Sequence, residues 1–308
     1  MAFQFRPGET IRRGLRRLAT KELRSARRDL RASSPGDKEI HAARKRIKKV
    51  RAIAALLDAD EGSGLKGCRK RLRRTNRRLS HLRDADAMLE TLKMLRSRHP
   101  DLLREHAFAR LQRRLISHKQ KTLNAAHADG VWEKIDRDLR SLRRRAKGWQ
   151  PTHRGFAALA AGLRSTHRQG RKAKVRAFER QRALDFHEWR KSMKALWYEL
   201  RLLERCDAGI RNDVRTLHDA ETLLGDDHNL VLLCAEISKD ASLCDREELQ
   251  RVVERDQADL RERAAARTER IYNQRPRRYL LRIKQAWRNW RRRARRGRGS
   301  RGSRAAAA

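Results

Sequence analysis

The sequence has few of the cysteines that are common in secreted proteins, and it has none of the long apolar runs that mark membrane proteins. It contains only 4 cysteines, which are scattered with no Cys-x-x-Cys pair. That pattern fits a reducing cytoplasm and argues against a disulfide framework or a zinc site. No apolar run approaches the roughly 18 residues that suggest a transmembrane helix, and the first residues lack the apolar stretch of a secretory signal. We therefore expect a cytoplasmic protein without a membrane partner.

Proline and aromatic residues are equally scarce, and this scarcity favours helices over strands. Only 5 prolines occur, and Pro35, Pro100, Pro151 and Pro276 separate periodic segments. No stretch alternates between apolar and polar residues over the length of a strand, so the predicted fold class is all-α. After Pro151, separate helices are expected near 154–166, 172–184, 187–205, 211–224, 229–239, 246–272 and 277–293.

Positive charge is abundant instead. The chain has 80 Lys and Arg against 38 Asp and Glu, a formal net charge of +42. Residues 275–308 contain 14 of these cations and no acid, which leaves +28 on the first 274 residues. Such a charge favours a polyanionic partner such as nucleic acid or polyphosphate, because it is otherwise self-repelling. Biased base composition, with much of the excess simply solvated, is the alternative.

The helix predicted between Asp37 and Leu57 has a patterned basic row. Its apolar positions step by three and four residues and form a seam suited to bundle packing. One position further along, basic side chains repeat with the same steps and border the seam over three turns. They are His41, Arg44, Lys48 and Arg51, with Lys45 beside them.

A second row repeats the first. His187, Arg190 and Lys194, with Lys191 adjacent, match His41, Arg44, Lys48 and Lys45 at an offset of 146 residues, although Arg51 falls on Trp197. Downstream, residues 79–89 match residues 224–233 at an offset of 145, which pairs Arg83 with His228 and Asp84 with Asn229. Asp84 and Asn229 are expected to cap helices that begin there.

Two segments that match at nearly one offset predict an internal duplication. We expect a first helical bundle over residues 1–147 and a second over residues 148–293, related by a pseudo-two-fold axis. Residues 294–308 have low complexity and are expected to form a disordered basic tail.

The repeated rows suit phosphate binding better than metal chemistry. Cations at neighbouring helical positions would repel a metal ion, and neither a nucleophile motif nor a phosphate-cradling glycine loop is present. Arginine instead forms fork-like hydrogen bonds to phosphate oxygens, and lysine supplies point charges. The alternative is that both rows are ordinary solvated flanks of amphipathic helices. Arg83 and His228 are weaker candidates for contact with the same anion.

At these residues the sequence resembles the CHAD family, a histidine-bearing α-helical domain. The resemblance lies in residues 41–48 with 79–88 and in residues 187–198 with 224–233, and it extends over about residues 8–290. It implies tandem four-helix bundles around a basic central cavity or groove, which binds inorganic polyphosphate and locates the protein to polyphosphate granules. Ser80 and Asn229 depart from the family pattern, which has Gly and Asp there.

By this motif match, the resemblance implies a set of cavity-lining residues. They are His41, Arg44, Lys45, Lys48, Arg51, His187, Arg190, Lys191 and Lys194. The triphosphate-tunnel domain that many family members carry has no room in this chain, so neither enzymatic activity nor a cofactor or metal is expected.

Two rival functions remain. A nucleic-acid-binding protein would explain the charge and the Arg-Gly tail, although no helix-turn-helix, aromatic RNA-binding motif or zinc finger is present. A phosphate-handling enzyme would need carboxylates grouped around Mg²⁺, and Asp84, Asp86, Asp226 and Asp227 are the candidates.

Overall fold

The computed structural model describes residues 3–31, 35–59, 65–82, 84–102, 104–240 and 245–305. Within these residues the structure has eleven α-helices and no strand, so the all-α prediction is confirmed. In chain order the helices are α1 (Ile11–Asp29), α2 (Asp37–Asp58), α3 (Lys66–His81), α4 (Asp84–Arg98), α5 (Glu105–Ala128), α6 (Val131–Ala146), α7 (Ala157–Arg180), α8 (Ala183–Arg201), α9 (Ala208–Ile237), α10 (Arg246–Tyr272) and α11 (Pro276–Ala305).

The helices pack in two neighbouring groups of four. In the first group, α1 contacts α2 and α6, and α3 contacts α2 and α6. In the second group, α7 packs on α8, α8 on α9, and α9 on α10. The central helix is α2, since it also contacts α7 and α8 and so joins the two groups. The apolar seam predicted for α2 is buried, and Ile40 and Ile47 are both 0% exposed.

A second, smaller apolar core lies beside the main one. It joins α4 and α5 to α9 and α10 through buried leucines that include Leu92, Leu111, Leu230 and Leu249. None of the helices in the described part of the chain combines the length and apolarity that a membrane span requires.

The first and last described segments meet each other. The backbone N–H of Phe5 donates to the carbonyl of Leu202 over 3.0 Å, and the Phe5 ring meets the edge of Trp287 at a centroid distance of 5.6 Å. Arg291 of α11 donates to the carbonyl of Glu9 over 2.8 Å. Trp287 is buried by these contacts, so it serves helix docking rather than stacking on a ligand.

Two predicted helix breaks are wrong. The helix α7 (Ala157–Arg180) is continuous across the break predicted between 154–166 and 172–184, and α9 (Ala208–Ile237) is continuous across the break predicted between 211–224 and 229–239. Gly170 of α7 lies where a Cβ would be 2.7 Å from the Tyr272 ring, so it permits close packing and does not end the helix. Because α9 is continuous, Asn229 lies inside it and is not an N-cap.

The disordered tail expected over 294–308 stays a prediction. Helix α11 continues to Ala305, although side chains beyond residue 296 are outside the described residues. Arginine is a good helix former, and isolated glycines weaken a helix without necessarily ending it.

Candidate anion-binding site

The two predicted basic rows face each other across the contact between α2 and α8. The Lys48 side chain of α2 interacts electrostatically with Lys194, Arg44 and Arg190, and with the carboxylate of Glu221. Burial, followed by these neighbouring cations, lowers the pKa of Lys48 to about 7. Rows that lie 146 residues apart in the sequence therefore contribute to one cluster of positive charge.

Helix α9 is the third helix that borders this cluster, and it contributes a carboxylate that the sequence did not predict. Glu221 is buried and accepts hydrogen bonds from Lys194 Nζ over 2.5 and 2.6 Å. Arg190 Nε donates to the Glu221 backbone carbonyl over 3.2 Å. The available signal was an acid at an apolar position, because Glu221 follows Leu217 by four residues and precedes Leu224 by three.

A glycine lets Arg190 lie against α9. A Cβ at position 225 would be 2.8 Å from Arg190 Nη2 and 3.3 Å from its Cζ. The guanidinium therefore lies against the helix backbone at Gly225, where its Nε also donates to the Glu221 carbonyl. This close approach gives Gly225, in the segment that matches residues 79–89, a physical role.

A histidine pair lies at the amino-terminal end of α8. The rings of His187 and His228 have centroids 4.0 Å apart and an interplanar angle of 39°. Burial, and then the positive charges of His228, Lys191 and Arg190, lower the pKa of His187 to about 4. His187 is therefore neutral at pH 7, and its buried Nδ1 makes no hydrogen bond to any described residue. His41, the matching residue on α2, is partly buried.

Arg44 and Lys45 complete the α2 side of the cluster. Arg44 Nη2 donates to the hydroxyl of Ser80 over 2.8 Å. The serine that departs from the family pattern thus orients a predicted anion-binding arginine. Lys45 is exposed at the rim, and its positive charge contributes to the lowered pKa of Lys194, after burial and Arg190.

Three of the predicted residues are not part of this cluster in the described structure. Burial, Arg73 and Arg69 lower the pKa of Arg51, so Arg51 faces the cations of α3. The packing of α3 against α2 therefore places Arg51 beside the cations of α3, although Arg51 and Lys48 are three residues apart on one helix. Lys191 is exposed, and its Nζ is 2.7 Å from Oε1 of Glu188. Arg83 lies outside the described residues.

Of the four carboxylates that a magnesium enzyme would need, Asp86 and Asp227 are paired with cations, and the side chain of Asp84 lies outside the described residues. Asp86 Oδ1 is 2.7 Å from Lys119 Nζ, and Asp227 Oδ1 accepts from Arg261 Nε over 2.8 Å. Asp226 is partly buried, and burial raises its pKa. The described residues include no group of three or more His, Cys, Asp and Glu side chains placed to hold a metal ion.

Comparison with known proteins gives a family and a fold. The family model for the CHAD domain matches residues 62–238, more than half of the chain. This range includes the α8 and α9 walls but not the row on α2. The crystal structure of the CHAD domain from the plant Ricinus communis is similar, with a TM-score of 0.61 and 15% identity over 94% of this chain and 95% of that one. No curated protein matches the chain. The match over residues 62–238 makes this chain a member of the CHAD domain family.

Proposed function

We propose that this protein binds inorganic polyphosphate, without catalysing a reaction, at the cluster formed by α2, α8 and α9. The observation that supports this proposal most is the meeting of two basic rows from separate helices. Arg44, Lys48, Arg190 and Lys194 form one electrostatically coupled group whose shared carboxylate is Glu221.

A chain of phosphates matches this group chemically. Polyphosphate has about one negative charge per phosphate group, like a nucleic acid backbone, but it has no bases that a protein could recognise. The two arginines offer forked donors, and the two lysines offer compact charges. A bound phosphate chain would relieve the repulsion by neighbouring cations that, after burial, lowers the pKa of Lys48. Family membership is consistent with this ligand class.

Several finer expectations belong to the same proposal. The two groups of four helices would be duplicated bundles related by a pseudo-two-fold axis, and the cluster would lie in a central basic cavity or groove between them. Binding of long chains would place the protein on polyphosphate granules in the cytoplasm.

The first test is a titration of the full chain with long-chain polyphosphate and with single-stranded DNA of equal charge. We expect tighter binding of polyphosphate, and an affinity that falls linearly on a log–log plot against salt. Equal affinities would overturn the proposal in favour of general nucleic-acid binding. Release of phosphate from polyphosphate or ATP in the presence of Mg²⁺ would overturn the non-enzymatic assignment.

The second test locates the site. The variant R44Q/K48Q/R190Q removes three charges and keeps the Lys194–Glu221 pair. Its matched control is R113Q/K121Q/R255Q, which removes three exposed charges from α5 and α10. We expect polyphosphate affinity to fall at least about tenfold more in the first variant, or about 1.4 kcal/mol. Equal losses would show that the anion binds by net charge alone.

Deletion of residues 294–308 separates the nucleic-acid alternative from this proposal. The acid-free stretch 275–308 favours nonspecific contact with nucleic acid at this end. The truncated chain should retain polyphosphate binding and bind DNA more weakly. Loss of polyphosphate binding on deletion would move the site to the tail.

A further inference from the structure

A second basic pocket lies between the amino-terminal half of α1 and the segment 147–155 that leads into α7. Its volume is about 980 Å³. Four arginines on α1 line one side, Arg12, Arg13, Arg16 and Arg17, and Lys147 and Arg154 line the other. None of these residues belongs to the cluster formed by α2, α8 and α9.

The pocket lies near the carboxyl-terminal end of α2, whereas Arg44 and Lys48 of the cluster lie in the middle of that helix. Arg46 of α2 pairs with Glu22 and Asp29 in the second half of α1, so α1 and α2 run antiparallel. The first half of α1 is therefore beside the end of α2. Consistent with this, Gly162, just after the 147–155 segment, packs against Leu56. Lys48 and Leu56 are eight residues apart, or about 12 Å along the helix.

Among the residues that the structure describes, most of the positive charge in the pocket has no counter-ion. Arg17 is neutralised, since its Nε and Nη2 each donate over 2.7 Å to the Glu9 carboxylate. Arg16 donates to the Trp149 carbonyl over 2.6 Å, which fixes the segment but leaves the charge uncompensated. Arg12, Arg13 and Arg154 are exposed and form no ion pair with any described carboxylate.

The amino-terminal end of α1 adds to the positive electrostatic potential of the pocket. Thr10 caps the helix by accepting a hydrogen bond from the Arg13 N–H over 3.2 Å. The first turn of α1 contains no acidic residue, and the Glu9 carboxylate just before the helix is already engaged by Arg17. A concave surface lined by forked donors matches the geometry and charge of phosphate groups.

We propose that this pocket is a second anion site, which binds a short oligophosphate group. The group could be a free triphosphate or the end of a longer phosphate chain, because both present the same oxygens. The site is independent of the proposed function of the first cluster. A protein with one site at the middle of α2 and another near its carboxyl-terminal end would hold two phosphate chains, or two parts of one chain, at once.

The test is calorimetric titration of the full chain with inorganic triphosphate at low salt. The variant R12Q/R13Q/R154Q changes exposed side chains, and R113Q/K121Q/R255Q is the control with the same loss of charge. We expect two bound triphosphates in the wild type and the control, and one in the pocket variant. Urea unfolding of all three proteins verifies that the fold is retained.

The same titration with R44Q/K48Q/R190Q separates this inference from the proposed function. If the pocket binds triphosphate, this variant also binds one triphosphate, and adding R12Q/R13Q/R154Q to it removes that remaining site. The inference is overturned if the pocket variant binds like the control, or if R44Q/K48Q/R190Q alone abolishes binding. Loss of binding only through the pocket would instead overturn the first cluster and leave the pocket standing.

Discussion

Replacing Lys48 by methionine should stabilise the protein at low pH and much less at high pH. Lys48 is partly buried beside Arg44, Arg190 and Lys194, and its pKa is lowered from 10.5 to about 7. Methionine retains the length of the side chain and removes the charge. Between these two pKa values the unfolded chain binds this proton and the folded protein does not, so the stability of the wild type rises with pH in that window.

The magnitude follows from the size of the shift. One pKa unit corresponds to 1.36 kcal/mol, so a fully charged Lys48 at pH 6 destabilises the fold by about 4 to 5 kcal/mol. At pH 9 the residual destabilisation is about 2 kcal/mol, because the folded protein has already lost the proton. The stabilisation by K48M should therefore shrink by about 2 to 3 kcal/mol between pH 6 and pH 9.

The assay is urea unfolding of the wild type, K48M and K45M at pH 6 and pH 9. K45M is the matched control, because Lys45 is exposed on the same helix. We expect the difference in unfolding free energy between K48M and the wild type to depend on pH, and that between K45M and the wild type to change little. A K48M effect of equal size at both pH values would refute the assignment of Lys48 to a repelling, buried cluster.

Two further variants probe the α9 wall. Glu221→Gln removes the buried carboxylate that pairs with Lys194. Polyphosphate should therefore bind more tightly in calorimetry, while the free energy of unfolding of the free protein should fall by about 1 to 3 kcal/mol. Weaker binding would contradict a role for Glu221 as a competitor of the anion. Gly225→Ala would bring a Cβ 2.8 Å from Arg190 Nη2, so the displaced guanidinium should weaken polyphosphate binding severalfold. Gly67→Ala, where no atom lies within 4 Å of the added Cβ, is the control and should leave binding unchanged and stabilise α3 by up to about 1 kcal/mol.

The helical fold could be predicted from the sequence because the spacing of apolar residues along a helix corresponds to the face that is buried. The steps of three and four from Ile40 to Leu57 predicted the buried face of α2, and the structure confirms it. The continuity of α7 and α9 was not predicted. Gly170 and Gly225, which lie at the predicted breaks, are positions where a neighbouring side chain approaches the backbone, and a one-dimensional pattern does not show such a contact.

The candidate site was predictable as two rows but not as one cluster. The spacing of Arg44 and Lys48, repeated at Arg190 and Lys194, identified the cations that the structure places together. Their counter-ion Glu221 was not found, because its partner Lys194 is 27 residues away in the chain. The different direction of Arg51 depends on how α3 packs against α2, which helical spacing alone does not determine.

The contact between the first and last described segments bears on synthesis of the chain. Arg291 and Glu9, which it bonds, are 282 residues apart, so at about 5 to 20 residues per second α11 is made roughly 15 to 55 seconds after the start of α1. During that interval Phe5 lacks its Trp287 neighbour, and only near its end are α8 and α9 complete. A chain released before Trp287 is made would therefore leave the Phe5 ring without this contact, which makes the amino-terminal segment a target for chaperones until translation ends.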